Sequence, residues 1–142
     1  MSGAFTFRME QPIAFEHVDA AGWVFYPRYA AFVNRAVERA FGEGLDWSYA
    51  RMHLEEHLAI PTVELNMKFL KPSRLGETLA ITLEAVDVGR RSLTLDVEMR
   101  VAGEETPRVT ARVVVVHVAM GDPPQTRPWP EAIAAKLRGE GP

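Results

Sequence analysis

Alternation of apolar and polar residues predicts four consecutive β-strands in the second half of the chain. The pattern covers residues 63–69, 79–85, 93–101 and 109–118. The first three segments have apolar residues at every second position, which is typical of a strand with one buried face. The last segment is nearly all apolar and predicts a central strand covered on both faces. No helical pattern separates these strands, so the sheet is predicted to be antiparallel.

The first half of the chain predicts one more strand and two helices. Alternation over residues 5–15 indicates a strand that is interrupted near Pro12. From Pro27 to Phe41, apolar residues recur at helical spacing, and glycines follow as a stop signal. A shorter helix is predicted over residues 47–57. One long helix against one curved sheet is an α+β arrangement, and long exposed sheet edges lead us to expect an oligomer.

Length and composition fit a single globular domain over residues 1–142. The chain has 142 residues, of which 47% are hydrophobic and 25% are charged. A chain of this size can bury one core but has no room for a second domain of ordinary size. The tail from about residue 121 is expected to be irregular because prolines are dense there.

Charge and cysteine content exclude several classes of function. The 16 basic and 19 acidic residues give a net charge of −3, so we expect no nucleic-acid partner. The absence of cysteine removes disulfides, thiolate nucleophiles, iron–sulfur clusters and cysteine zinc sites. The first residues show no signal-peptide pattern, and no apolar run reaches the length of a membrane span. We therefore expect a cytoplasmic protein without a membrane partner.

The loop before the long helix contains residues suited to acyl transfer. Asp19 is followed by Ala20, Ala21 and Gly22, whose small size leaves space for a ligand beside the backbone. At the helix start, the N–H of Tyr26 lies at the positive end of the helix dipole and can hold an oxyanion. A carboxylate beside such a donor can attack a carbonyl or deprotonate a water molecule. The same spacing also fits an aspartate that only braces the loop.

A specific motif spans this loop and the helix start. Residues 15–29 read F-E-H-V-D-A-A-G-W-V-F-Y-P-R-Y. The core D-x-A-G-x-V-x-Y-P-x-Y resembles the signature of the hotdog-fold thioesterases of the 4-hydroxybenzoyl-CoA thioesterase type, in the branch with an aspartate before the helix. The resemblance covers roughly residues 5–120. It implies a hotdog fold, in which an antiparallel five-stranded sheet wraps around a long central helix.

The resemblance also implies an activity and roles for three residues. Asp19 is implied as nucleophile or general base, the Tyr26 N–H as the donor that polarises the thioester carbonyl, and Gly22 as the loop glycine. The implied reaction is hydrolysis of an acyl-CoA by water, with coenzyme A as part of the substrate and no metal or other cofactor. The implied active site lies between two subunits of a homodimer or homotetramer. A hotdog protein that binds acyl-CoA without cleaving it is the alternative.

Arg90, Arg91 and Ser92 lie between a turn and the start of a predicted strand. Two adjacent guanidinium groups suit the phosphates of coenzyme A, and the serine hydroxyl adds a donor. The resemblance supports this interpretation, since relatives carry a cationic cluster there. A solvated hairpin is the alternative, and Arg127 is a further candidate for phosphate binding.

The residues of the acyl pocket leave the acyl group open. Asn34 is a candidate substrate-binding residue, but Asn34 and Ile60 both depart from the residues that the resemblance implies for a 4-hydroxybenzoyl substrate. Trp23 and Phe25 either line the pocket or belong to the core. An aromatic and a short or medium acyl group therefore remain equal alternatives.

His53 and His57 form an H-x-x-E-H pattern, which is also found in zinc peptidases. A small chain dominated by sheet offers little of the scaffold that those enzymes use. We therefore expect a solvated amphipathic helix with Leu54 and Leu58 turned inward, and no metal site. His117, in an apolar strand, is expected to be a hydrogen-bonded core residue.

Overall fold

The structure, a computed structural model, describes residues 4–140, so residues 1–3 and 141–142 of the expected domain lie outside the description. Helices and strands alternate irregularly in the first half, and strands dominate the second. In chain order the elements are β1 (Thr6–Pro12), α1 (Pro27–Arg39), α2 (Tyr49–Leu54), β2 (Leu58–Ala59), β3 (Thr62–Phe69), β4 (Thr78–Val88), β5 (Ser92–Val101), β6 (Val109–Val116), β7 (Val118–Ala119), β8 (Gln125–Thr126) and α3 (Glu131–Leu137).

Five strands form one antiparallel sheet in the order β1-β4-β5-β6-β3. Strands β1 and β3 are therefore its edges, and β5 lies in the centre. The short strands β2, β7 and β8 form a second, small sheet. Alternate residues of β4 and β5 point inward, where Ile81, Leu83 and Leu95 are fully buried. The predicted five-stranded antiparallel sheet is confirmed.

Helix α1 packs its apolar stripe into the core formed by the inner face of this sheet. Its first residue is Pro27, where the missing N–H costs no helical hydrogen bond. The helix continues into one π-helical turn, Ala40–Gly44, and ends at the predicted glycines. A long helix wrapped by a sheet is the hotdog arrangement, which is confirmed. No helix within residues 4–140 has the length and apolar character to span a membrane. The buried stripe of α1 consists of Tyr29, Phe32, Val33, Ala36 and Val37.

Two strands are more exposed than their apolar patterns predict. On β6, Arg112 is exposed on the outer face, so the prediction that this strand is covered on both faces is wrong. On β3, Val63, Leu65 and Phe69 are 59%, 40% and 50% exposed. Helix α1 contacts β3 at Phe69, through Tyr29, but leaves Val63 and Leu65 exposed. The inner face of β3 is therefore left open in one chain.

The C-terminal tail is more ordered than predicted. Residues from 131 form helix α3, which buries Ile133, Ala134 and Leu137. Trp129, just before the helix, is buried and stacks on Phe41 with ring centroids 6.0 Å apart. The prediction of an irregular tail is wrong for this part because the dense prolines precede a segment with helical apolar spacing.

Helix α2 is shorter than the predicted helix over residues 47–57. The Ser48 hydroxyl caps it by accepting a hydrogen bond from the Arg51 N–H at 3.1 Å. The buried side of this helix is formed by Met52. Leu54 is 77% exposed, so the expectation that it turns inward is wrong. Leu54 follows Met52 by two residues, which is about 200° around a helix, so it faces away from the buried side.

Candidate active site

The loop before α1 is a tight turn closed by backbone hydrogen bonds. The Asp19 N–H donates to the Trp23 carbonyl at 2.8 Å, and the Gly22 N–H donates to the Asp19 carbonyl at 3.0 Å. Gly22 has a φ of 86°, a conformation that only glycine adopts without strain. The predicted loop glycine therefore has a specific backbone reason to be there.

The two oxygens of the Asp19 carboxylate have different surroundings. Oδ1 accepts hydrogen bonds from the N–H groups of Ala21 at 2.9 Å and Trp23 at 3.1 Å. No group within residues 4–140 donates a hydrogen bond to Oδ2, and the residue is exposed in the single chain. One oxygen therefore braces the loop, as the simpler interpretation expects, and the second is available for chemistry.

Tyr26 lies at the start of α1, as predicted, with an unused backbone donor. The N–H groups on both sides are occupied: Phe25 donates to the His17 carbonyl at 3.0 Å, and Arg28 donates to the Phe25 carbonyl at 2.9 Å. Pro27 has no N–H. In the part of the chain that the structure describes, no acceptor binds the Tyr26 N–H. This amide is therefore a free donor at the positive end of α1.

The Asp19 loop is attached to the turn that connects β3 and β4. The Val24 N–H donates to the Ser73 carbonyl at 2.9 Å, and the Leu75 N–H donates to the Gly22 carbonyl at 3.0 Å. The Arg74 guanidinium lies over the Trp23 ring, 4.4 Å from its centroid. Trp23 is thus a support of the loop, half-buried under this cation, while Phe25 is 52% exposed.

A buried arginine, which the sequence analysis did not identify, is hydrogen-bonded to this turn. Arg108 is 3% exposed and forms paired hydrogen bonds with the carboxylates of Glu77 and Glu104. These bonds raise the pKa of Arg108 and lower the pKa of both carboxyl groups. The available sequence signal was a charged residue directly before the most apolar strand, with acidic residues in two turns.

Arg90, Arg91 and Ser92 form an ordered turn with exposed arginine side chains. The carbonyls of Arg90 and Ser92 accept from the backbone and indole N–H groups of Trp129, each at 3.0 Å. The Arg91 carbonyl accepts from the His117 N–H at 2.9 Å. The predicted trio is therefore held at all three carbonyls, while the side chains of Arg90 and Arg91 are exposed.

Strand β8 brings a third arginine to the same region. The Arg91 Nη1 donates to the Thr126 Oγ1 at 3.1 Å, and the Arg127 N–H donates to the His117 carbonyl at 2.9 Å. His117 is buried, as expected, and its Nδ1 lies 3.1 Å from the Arg127 carbonyl and 3.0 Å from that of Pro128. The predicted phosphate candidates therefore cluster at one end of the fold.

A single chain does not bring this cluster to the Asp19 loop. The arginine cluster lies at the end of the sheet where Ser92 of β5 pairs with Val116 of β6. The Asp19 loop lies at the opposite end, past the pair of Met99 and Val109. These two residue pairs are separated by the length of β6, which is about 24 Å at the usual rise per residue of a strand. The two halves of the predicted site thus lie at opposite ends of one sheet.

Of the other residues predicted for the acyl pocket, one lies on the surface and one in the core. Asn34 is exposed on α1, whereas Ile60 is buried. Tyr26 and Tyr29 both contact Phe69 of β3, with ring centroids 6.1 Å and 5.6 Å apart. The helix start and the edge strand therefore share one open apolar surface, composed of Phe25, Tyr26 and Phe69.

The structure does not assemble the H-x-x-E-H residues into a zinc site. His53 lies in α2, but His57 follows the helix and has a φ of 55°. Among residues 4–140, no three histidine or acidic side chains are grouped closely enough to hold a metal ion. A groove of about 640 Å³ on the outer face of the sheet contains none of the predicted site residues.

Comparison with known proteins adds a family and a set of similar folds. The thioesterase-like superfamily matches residues 13–137. No curated protein sequence matches significantly. A 1,4-dihydroxy-2-naphthoyl-CoA thioesterase from Synechocystis is 20% identical with a TM-score of 0.84, over 94% of this chain and 96% of that one.

Two further solved structures have the same fold. The 4-hydroxybenzoyl-CoA thioesterase of a Pseudomonas species is 21% identical with a TM-score of 0.81, over 94% of this chain and 99% of that one. A Staphylococcus aureus protein in complex with CoA is 17% identical with a TM-score of 0.83, over 98% of this chain and 88% of that one. At these identities the structural likeness establishes the fold.

Proposed function

Since the chain belongs to the thioesterase-like superfamily, we propose that it hydrolyses an acyl-CoA thioester with Asp19 and the Tyr26 N–H as its catalytic groups. The family confirms the expected enzyme class, a thioesterase. The observation that carries the proposal is the division of the Asp19 carboxylate. Two amides fix Oδ1, so Oδ2 is held in a defined direction without being occupied.

The proposed chemistry needs a base or nucleophile and a donor for the developing oxyanion. The Tyr26 N–H binds the thioester oxygen and stabilises the negative charge that forms on it. Asp19 Oδ2 either removes a proton from the attacking water or attacks the carbonyl itself. In the second route the C–S bond breaks, the thiolate of coenzyme A leaves and takes up a proton, and water then cleaves the mixed anhydride. Both routes release the free acid and the thiol of coenzyme A. No metal or further cofactor takes part in the proposed reaction.

We propose that the complete site forms between two copies of the chain. Edge strand β3 pairs only with β6 within residues 4–140, and its apolar side chains are exposed. Two-fold pairing of β3 strands is antiparallel, so the Phe69 end of one chain lies beside the Thr62 end of its partner. This arrangement moves the arginine cluster of one chain to the same end as Asp19 of the other.

In this dimer, Arg90 and Arg91 of the partner subunit bind the coenzyme A phosphates, with Ser92 as an additional donor. Gly22 allows the ligand to approach the loop backbone, since no atom beyond its two chain neighbours lies within 4 Å of the position that a Cβ would occupy. Asn34 and the open apolar surface face the acyl group. An aromatic or a short to medium acyl chain fits such a surface.

The test of the activity is thiol release from a panel of aromatic and aliphatic acyl-CoA esters, measured with a thiol reagent. We expect turnover of at least one class. Saturable binding of acyl-CoA by the wild-type protein without thiol release would instead identify a binding protein and refute the proposed hydrolysis.

Mixed dimers test the shared site. One chain carries Asp19→Asn, and the other carries Arg90→Ala with Arg91→Ala. If the two halves come from different subunits, the mixed dimer retains one intact site, and its activity exceeds that of either parent. Activity no higher than the parents would place both halves within one chain.

A further inference from the structure

Arg108 is a charged residue in a buried position, which is unfavourable unless all of its N–H groups are hydrogen-bonded. It directly precedes β6, and its side chain is 4% exposed. Its Nε and Nη2 donate to the two oxygens of Glu104 at 2.8 Å and 2.7 Å. Burying a charge in this way costs solvation energy, and apolar side chains of similar volume commonly stabilise a fold as well or better. Stability alone is therefore a weak reason for this arginine.

The remaining hydrogen bonds of Arg108 organise the turn between β3 and β4. Nη1 donates to the Pro72 carbonyl at 2.9 Å and to the Ser73 Oγ at 3.2 Å. Nη1 and Nη2 also bind the two oxygens of Glu77, at 3.0 Å and 2.9 Å. Both ends of the turn are therefore fixed to one rigid, planar group.

The same turn is hydrogen-bonded to the Asp19 loop at residues that follow Asp19 in the chain. The Ser73 carbonyl accepts from the Val24 N–H, and the Leu75 N–H donates to the Gly22 carbonyl. These two bonds flank Trp23, whose own N–H donates to Asp19 Oδ1. The chain of contacts from Arg108 to the Asp19 carboxylate is thus continuous.

We propose that Arg108 is a positioning residue for thioester hydrolysis, which holds the Asp19 carboxylate in its reactive direction through the turn at residues 72–77. The inference rests on the proposed function of Asp19. It does not place Arg108 in contact with substrate. A small displacement of a reacting group can cost a large factor in rate, so loosening this turn lowers kcat while leaving coenzyme A binding nearly intact.

Arg108→Lys tests the proposal, because lysine keeps the charge but cannot bind two carboxylates in parallel pairs. Arg112→Lys is the matched control: Arg112 lies in β6, four residues after Arg108, and pairs with both oxygens of Asp96, but on the outer face. Glu104→Gln, in an exposed turn, is a milder variant that keeps the proposal testable if Arg108→Lys folds poorly. Leu137→Ala, in α3, controls for loss of stability alone.

We expect Arg108→Lys to lower kcat by about 10- to 100-fold with KM changed by less than about threefold. Glu104→Gln shows a smaller loss in the same direction, and both controls retain kcat per folded molecule. In an Asp19→Asn background, Arg108→Lys causes no further loss, because its effect passes through Asp19. Unchanged kcat in folded Arg108→Lys and Glu104→Gln, or full additivity with Asp19→Asn, would overturn the proposal.

Amide hydrogen exchange gives a readout that does not depend on turnover. We expect the amides of Gly22, Val24 and Leu75 to exchange faster in Arg108→Lys than in wild type, and to be unaffected in Arg112→Lys. Unchanged exchange would refute the coupling between Arg108 and the loop. A wild-type protein without turnover would refute the proposed function, while the exchange result would still report on the coupling.

Discussion

Replacement of Asp19 by asparagine or alanine separates its two roles. Asparagine keeps a carbonyl oxygen where Oδ1 accepts the Ala21 and Trp23 N–H groups, and replaces Oδ2 by an amide that is neither base nor nucleophile. Alanine removes both the oxygen that braces the loop and the oxygen that we propose to react. We expect both variants to lose turnover, but only alanine to loosen the loop.

The magnitudes follow from the contacts. A positioned general base contributes about 100- to 10,000-fold in rate, which corresponds to about 3–5 kcal/mol of activation free energy. Asp19→Asn is therefore expected to lower kcat by at least about 100-fold. Its stability should fall by less than about 1 kcal/mol because both N–H bonds find an acceptor, whereas Asp19→Ala loses two bonds at about 0.5–1.5 kcal/mol each.

The assay combines steady-state thiol release with denaturant unfolding of the same preparations. Asp19→Asn should bind acyl-CoA with near-normal affinity, since the proposed binding groups are untouched. A kcat within about threefold of wild type in folded Asp19→Asn would remove Asp19 from the chemistry. Equal losses of stability in the two variants would show that Oδ1 does not brace the loop.

Three further predictions concern other parts of the molecule. Arg90→Ala with Arg91→Ala should raise KM for CoA esters by at least about tenfold but leave KM for short pantetheine thioesters nearly unchanged; equal effects on both substrates would show that the pair does not bind phosphate. Leu137→Ala should cost about 2–5 kcal/mol of unfolding free energy, measured in denaturant, because the side chain is fully buried; a loss under about 1 kcal/mol would mean that α3 is not part of the cooperative core. Arg108 lowers the pKa of Glu77, so the folded state binds fewer protons than the unfolded state, and stability should fall as the pH drops below about 4. That decrease, followed by thermal unfolding, should be shallower in Arg108→Met, and an unchanged slope would contradict the assignment.

Hydrophobic periodicity correctly predicted the strands and the helix that bury one face. It predicted burial wrongly where burial depends on which helix or strand packs beside the element. The alternation of β4 and the helical stripe of α1 are local patterns, and both appear where they were predicted. The same alternation on β3 predicted a buried face that is open, because position within the sheet is not encoded in the strand itself. Likewise, the apolar run of β6 could not reveal that Arg112 faces outward among exposed residues.

The Asp19 loop was predictable from its motif, whereas its support by Arg108 was not. Asp19, Gly22 and Tyr26 lie close together in the chain, so their spacing carries the geometry of the loop. Arg108 joins groups about 30 residues away, and a single arginine before a strand gives no sign of such partners. The separation of Asp19 from the arginine cluster within one chain also depends on how distant segments pair, which no local pattern encodes.

The open edge of β3 also bears on how the chain behaves before the proposed dimer forms. Unpaired backbone groups beside exposed apolar side chains are a template for indiscriminate strand addition. If the proposed dimer forms through this edge, a newly synthesised chain has to pair with a second copy before other nascent chains add to the exposed strand. Substitutions that weaken the proposed β3–β3 contact would lower activity and would also reduce yield through precipitation. Solubility during expression then becomes a simple indicator of correct association.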